Sequence, residues 1–284
     1  MSLYDLDRQL RFLRFTNLPW LKRISLWQAP TRLLSNNLLL IFGAQRSGTT
    51  LMFMLLTAHP RITGLDESHA RPIYQSTDLL PPWPVIAANS FLRQRTVFKL
   101  PVSSARMQDI ISIYKGCQII WMIRHPFSVI ASMRNLTFPD GQSWLEKFAL
   151  SQAKSTLALT SPDAICELDV LDHISLGAAL WKHRLLLMEQ YQQGNVNVYP
   201  IRYEELVTES EAVLRPLLAQ LSLSWSDQLL EHHRLHQGAK YAGLADGSRP
   251  LDRDGLNRGR ELTDIEQQKV WDIAGDVMVR YSYH

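Results

Sequence analysis

The chain has 284 residues, 46% apolar and 20% charged, with a net charge of +3. That length holds one α/β domain with a full core, or two small ones, and the charge is too mild to mark a nucleic-acid binder. Its two cysteines, Cys117 and Cys166, have no metal-site spacing and make no disulfide framework; no apolar run is long enough to span a bilayer, and no signal-peptide core opens the chain. A cytoplasmic protein is expected.

Residues 1–35 read as a basic amphipathic arm. Arg8, Arg11, Arg14, Lys22, Arg23 and Arg32 stand against Asp5 and Asp7, interleaved with Phe12, Phe15, Trp20 and Trp27, and Pro19 divides the run. Packing against the rest of the chain and contact with a membrane surface or a partner both fit this pattern. Residues 36–284 are expected to form a single domain.

Leu38 to Phe42 is an apolar run of strand length, and Thr49 to Thr57 reads as an apolar helix. Between them Gly43-Ala44-Gln45-Arg46-Ser47-Gly48 forms a turn. Strand, glycine turn and helix N-terminus together cradle an anion with backbone N–H groups and the helix dipole. The spacing fits the P-loop frame G-x-x-x-x-G-K-[ST], except that Thr49 stands at the lysine position, with Thr50 at the hydroxyl position. That lysine reaches the terminal phosphates of a nucleoside triphosphate, so its loss argues against a kinase or ATPase. The cation sits inside the loop instead, at Arg46, where a guanidinium fork suits a tetrahedral oxyanion held without a magnesium bridge.

Asp66, Glu67, Ser68 and His69 read as a loop entering a helix over 70–75, and Pro81, Pro82 and Pro84 make 76–96 a surface loop. Val97 to Leu100 is a second strand, closed by Pro101, with a helix over 103–115. Gln118 to Ile123 is a third. It runs through Arg124-His125-Pro126 into a helix that places its proline in the first turn. Residues 136–144 form a loop, 174–193 a long helix and 195–201 a fourth strand, which Tyr203-Glu204-Glu205-Leu206 leaves. Helices are expected at 209–221, 225–235 and 261–280, the last capped by Thr263 or Asp264. The glycine-rich stretch 237–260 reads as a lid or binding loop. His232, His233 and His236 offer a pair of imidazoles at i and i+4, but no third metal ligand is evident.

This alternation predicts an α/β, P-loop-like three-layer fold, a central parallel sheet flanked by helices. Ligands of such sheets bind at the carboxyl ends of the strands, where Arg46, Lys99, Arg124 and Tyr203 fall. Arg124 and Ser132, eight residues apart across a strand–helix turn, could bracket a phosphate as fork and hydroxyl.

At these residues the chain resembles the sulfotransferases that use 3′-phosphoadenosine 5′-phosphosulfate (PAPS). Arg46-Ser47-Gly48-Thr49-Thr50-Leu51 resembles their 5′-phosphosulfate loop, and Arg124-His125-Pro126 with Ser132 resembles their 3′-phosphate site. In motif layout the chain is most similar to the tyrosylprotein sulfotransferase branch, through Ala58-His59-Pro60, Asp66-Glu67, Tyr203-Glu204-Glu205-Leu206-Val207 and Trp225-Ser226-Asp227. The likeness spans about residues 38–235. It implies a cofactor pocket of Arg46, Ser47, Gly48, Thr49, Thr50, Arg124, Ser132 and Tyr203, with Arg258 and Arg260 from the following loop. It also implies Glu67 as general base, Lys99 and Arg46 as cations on the transferring group, His69 at the substrate, and no metal. His69 stands where that branch uses an arginine, so a peptide tyrosine is not implied as acceptor.

Sulfuryl transfer needs an oxygen nucleophile, a base for its proton and cations facing the leaving phosphate, and these residue types supply all three. A P-loop-like small-molecule kinase is the second reading, opposed by Thr49 and by the lack of a strand ending in Asp for magnesium. A non-catalytic nucleotide-binding protein is the third; it would keep the anion loop without needing Glu67 and Lys99. The acceptor hydroxyl (carbohydrate, lipid, carrier-bound hydroxyacyl chain or peptide) and the oligomeric state stay open.

Overall fold

The computed structural model describes residues 37–66, 86, 89–92, 94–238, 246–251, 253, 256–257 and 261–284. The N-terminal arm, Glu67, His69, Arg258 and Arg260 lie outside the described residues.

In chain order the elements are β1 (Leu38–Gly43), α1 (Thr49–Ala58), β2 (Ile62–Leu65), β3 (Arg95–Lys99), α2 (Met107–Ile113), β4 (Gln118–Ile123), α3 (Pro126–Arg134), α4 (Trp144–Thr160), α5 (His173–Gln193), β5 (Asn197–Arg202), α6 (Tyr203–Thr208), α7 (Ser210–Gln220), α8 (His232–Leu235) and α9 (Asp264–Arg280). Short 3₁₀ turns occupy Val102–Ala105, Pro162–Val170 and Asp227–Leu229.

All strands are parallel, in the order β2-β3-β1-β4-β5. The apolar runs of β1 and β4 do not alternate with polar residues because both faces are covered. Leu38, Leu40, Phe42, Ile119, Trp121 and Ile123 pack under α4, α5 and α9, while Leu39, Ile41, Ile120 and Met122 meet α1 and α7. From central β1 the chain builds β2 and β3 on one side, then crosses to β4 and β5 on the other. The topological switch therefore lies beyond the carboxyl end of β1, where such sheets open a crevice.

Three segments differ from the sequence expectation. Ile62–Leu65 is an edge strand rather than loop; it is short and contains Gly64, where a Cβ would stand 2.2 Å from Thr57 Cγ2. Trp144–Thr160 is a helix of 17 residues between the expected loop and α5. Its buried stripe of Leu145, Ala149, Ala153 and Leu157 has the 3.6-residue period but uses small side chains, which mute the signal. The helix expected over 225–235 is a 3₁₀ turn followed by the short α8. There His236 Nε2 lies 3.0 Å from the Met54 carbonyl and 3.2 Å from Thr57 Oγ1, so the segment follows α1 rather than one straight axis.

Candidate functional site

The loop from β1 to α1 is held open by two glycines. Gly43 has φ 139° and a Cβ there would lie 2.5 Å from the Met122 carbonyl oxygen; Gly48 has φ 98° and a Cβ there would lie 2.5 Å from Tyr203 Cδ2. Arg46 also adopts a left-handed φ of 69°, unusual for a branchless but non-glycine residue. Ser47 folds the loop on itself: its amide and its hydroxyl both donate to the Ala44 carbonyl, at 3.1 and 2.6 Å. No side chain caps α1 and its first turn carries no acid, so the opening amides and the positive dipole end are offered to an anion.

Three strand ends bring the cations to this loop. Lys99, at the end of β3, is 1% exposed and its Nζ donates to Thr50 Oγ1 at 3.0 Å. Arg124, just past β4, is 6% exposed; its Nη1 donates to the Arg46 carbonyl at 3.0 Å, and its guanidinium lies 4.2 Å above the Tyr203 ring. Arg46 Nε donates to Ser132 Oγ at 3.1 Å. The β1–α1 loop and the Arg124/Ser132 pair, separated by 86 and 78 residues, thus form one connected cluster, closed by Tyr203 against Gly48.

Among the predicted site residues, Arg46, Ser47, Gly48, Thr49, Thr50, Lys99, Arg124, Ser132 and Tyr203 gather at the carboxyl end of the sheet. β2 ends there too. Leu65 pairs with Phe98, and buried Asp66 follows Leu65 just as Lys99 follows Phe98.

Sequence reasoning missed the supports beneath the cluster. The Gln45 amide donates to Gln152 Oε1 at 3.3 Å; the same oxygen accepts from Arg184 Nη2 at 3.0 Å. Arg184 is fully buried, its Nη1 donates to the Pro101 carbonyl at 3.1 Å and to Ser104 Oγ, and burial lowers its pKa to about 10. The anion loop, α4, α5 and the turn after β3 are joined through one guanidinium. A signal for it existed: Arg184 falls on the core stripe that Leu176, Leu180 and Leu187 define. His125 caps α3 by accepting from the Phe127 N–H at 3.2 Å, and burial holds its imidazole below the ordinary pKa. Among the described residues no group of three or more His, Cys, Asp or Glu could hold a metal ion.

A parallel five-stranded sheet with helices on both faces and an anion loop at its switch point define an α/β protein of the P-loop-like kind. The chain belongs to the sulfotransferase family, whose model matches residues 39–227. No curated protein sequence matches it. Among solved structures it is similar in fold to the sulfotransferase domain from the Synechococcus PCC 7002 olefin synthase, with 14% identity, 87% of this chain and 94% of that chain covered, and a TM-score of 0.57. The sulfotransferase domain from the curacin biosynthetic pathway gives 16% identity, 87% and 97% coverage and the same TM-score of 0.57. Sulfotransferase STF9 from Mycobacterium avium gives 12% identity, 93% and 82% coverage and a TM-score of 0.51.

Proposed function

We propose that the protein moves a sulfuryl group from PAPS to an acceptor hydroxyl. The supporting observation is the joining of two anion motifs into one cluster by the bonds from Arg46 to Ser132 and from Arg124 to the Arg46 carbonyl. A ligand with anionic groups at two separate positions fits that arrangement, and the glycines at 43 and 48 leave backbone room for it.

In this reading Arg46, Ser47, Gly48, Thr49 and Thr50 hold the 5′ end, and Arg124 with Ser132 holds the 3′-phosphate. Tyr203 lies at the adenosine, and Arg258 and Arg260 contact the 3′-phosphate or the adenine. PAPS, when bound, supplies a sulfur whose bond to the 5′-phosphate oxygen breaks as the acceptor oxygen bonds to it, leaving adenosine 3′,5′-bisphosphate (PAP). Glu67 takes the acceptor's proton. Lys99 and Arg46 oppose the negative charge that grows on the leaving phosphate. His69 contacts the acceptor, whose class the chain leaves open, and no metal takes part.

The test is nucleotide preference. PAP should bind far more tightly than adenosine 5′-monophosphate (AMP) in calorimetry, and Arg124→Ala should abolish that difference at a cost of about 1.5–3 kcal/mol, the usual loss for a hydrogen bond to a charged group. Equal affinity of the native protein for both nucleotides would overturn the donor assignment. Turnover should also persist in excess chelator; strict magnesium dependence would favour the kinase reading.

A further inference from the structure

The turn that carries Arg124 is fixed by one peptide unit, that between Arg124 and His125. Its carbonyl oxygen accepts from Trp181 Nε1 at 2.9 Å, and its N–H donates to Glu204 Oε1 at 2.8 Å. Both ends of the plane are therefore tied, one to α5 and one to the first turn of α6. The orientation of that plane sets the direction in which Arg124 leaves the backbone.

Both ties meet the same side chain. Tyr283, 3% exposed and beyond the end of α9, donates its hydroxyl to Glu204 Oε2 at 3.0 Å. Its ring lies edge-on to Trp181 with centroids 6.1 Å apart, packs against His125 at 5.1 Å and sits 4.3 Å under the Arg202 guanidinium. Burial, and then the Glu204 charge, push the phenol's pKa up, so it stays a donor to that carboxylate.

The tail is delivered there by a defined helix stop. Ser282 takes a left-handed φ of 56°, the Ser282 N–H bonds to the Val279 carbonyl at 3.0 Å, and the Tyr283 N–H bonds to the Met278 carbonyl at 2.9 Å. This is the Schellman pattern, and it turns the chain back toward β5. Arg202 Nη1 then donates to the Tyr281 carbonyl at 2.5 Å, and the neutral His125 ring donates from Nε2 to the His284 carbonyl at 3.3 Å.

We infer that Tyr283, acting through Glu204 and Trp181, is a positioning residue that aims Arg124 at the nucleotide's 3′-phosphate. The inference rests on the donor reading above. Tyr283 touches no ligand in it; the residue holds the two anchors of the plane from which Arg124 departs. Tyr203, whose ring stacks on Arg124, is the chain neighbour of Glu204.

The experiment is calorimetric titration of PAP and of AMP into the full chain and into Tyr283→Phe, Glu204→Gln and Arg124→Ala, with melting temperatures recorded alongside. Tyr283→Phe keeps the ring and removes only the hydroxyl, so folding is preserved. Its affinity for PAP should fall about three- to tenfold, within the span of couplings carried through packed neighbours, while AMP affinity stays unchanged. Glu204→Gln should move in the same direction. A merely structural role would lower the melting temperature and weaken both nucleotides alike. If the native protein prefers PAP, Arg124→Ala loses that preference and Tyr283→Phe and Glu204→Gln keep it, the inference fails alone. If the native protein shows no preference, the donor reading fails and carries this inference with it.

Discussion

Lys99 is a cation that the fold has taken out of water and set on the hydroxyl of Thr50, at the mouth of the anion loop. A base that acts only in the chemical step is separable from a group that binds. Glu67→Gln should therefore slow turnover by about a hundredfold or more, the span usual for loss of a general base, while leaving PAP affinity nearly unchanged. Lys99→Ala should slow turnover and also weaken PAP, whose 5′-phosphate already carries the charge that the lysine opposes. Steady-state kinetics beside calorimetry checks both; a matching fall in PAP affinity would reassign Glu67 to binding, and unaltered turnover in Lys99→Ala would remove that lysine from the reaction. Arg184 is the contrasting case, a buried cation away from the reacting groups. Its fork reaches Pro101, Ser104 and Gln152 at once, which a lysine cannot imitate. Arg184→Lys should cost about 2–4 kcal/mol in denaturant unfolding, as expected for breaking a buried polar network.

Among the elements, the stop of α9 carries strain that can be removed. Ser282 is exposed and left-handed, where glycine would sit without penalty. Ser282→Gly should stabilise the protein by about 0.5–1 kcal/mol, read as a raised denaturation midpoint, with nucleotide binding unchanged. A loss of stability would show that the serine makes a compensating bond. The start of that helix was legible: Thr263 caps it, with Glu266 completing a capping box. An equally good box at Ser143 and Glu146 opens α4, but alanines on its buried face hid the period behind it. β1, β3 and β4 could be read because they are continuous apolar runs or end at a proline turn. β2 could not, since four residues with a glycine carry no pattern. The cluster of Arg46, Lys99, Arg124, Ser132 and Tyr203 was legible because strand ends of a parallel sheet share one edge. Its supports Gln152 and Tyr283 were not, because tertiary contacts alone bring them there, and Arg184 showed only as a charge on the apolar stripe of α5.

The whole molecule should lose stability in mild acid. Burial lowers His183, beside Lys182 and Asp276, to about 4, and lowers His232, beside His236 and His233, to about 4. The unfolded chain takes up these protons near 6.5, so it binds more protons than the native state between about 6.5 and 4. Stability is thus complete above about 6.5 and falls as the pH drops through that window. Melting temperatures from pH 7 to 4.5 should decline, and the slope should be shallower in His183→Gln; an unaltered slope would show that this histidine is not involved. No described helix is long and apolar enough to cross a membrane. The arm of residues 1–35, outside the described residues, is testable by co-sedimentation with anionic liposomes. Salt-sensitive binding that vanishes on deleting 1–30 would mark it as a surface contact, and binding unaffected by the deletion would not.

The strand order has a consequence of its own. β3, β1, β4 and β5 are neighbours, and Lys99, Arg46, Arg124 and Tyr203 leave their ends in that sequence. The sheet is a ruler graduated by backbone hydrogen bonds, with steps of about 4.8 Å that no side-chain substitution can stretch. The proposed donor would lie along it with its sulfuryl end toward β3 and its adenosine toward β5. Core substitutions could then loosen the grip on such a molecule, yet leave its direction and the interval between its two anionic groups written in the backbone.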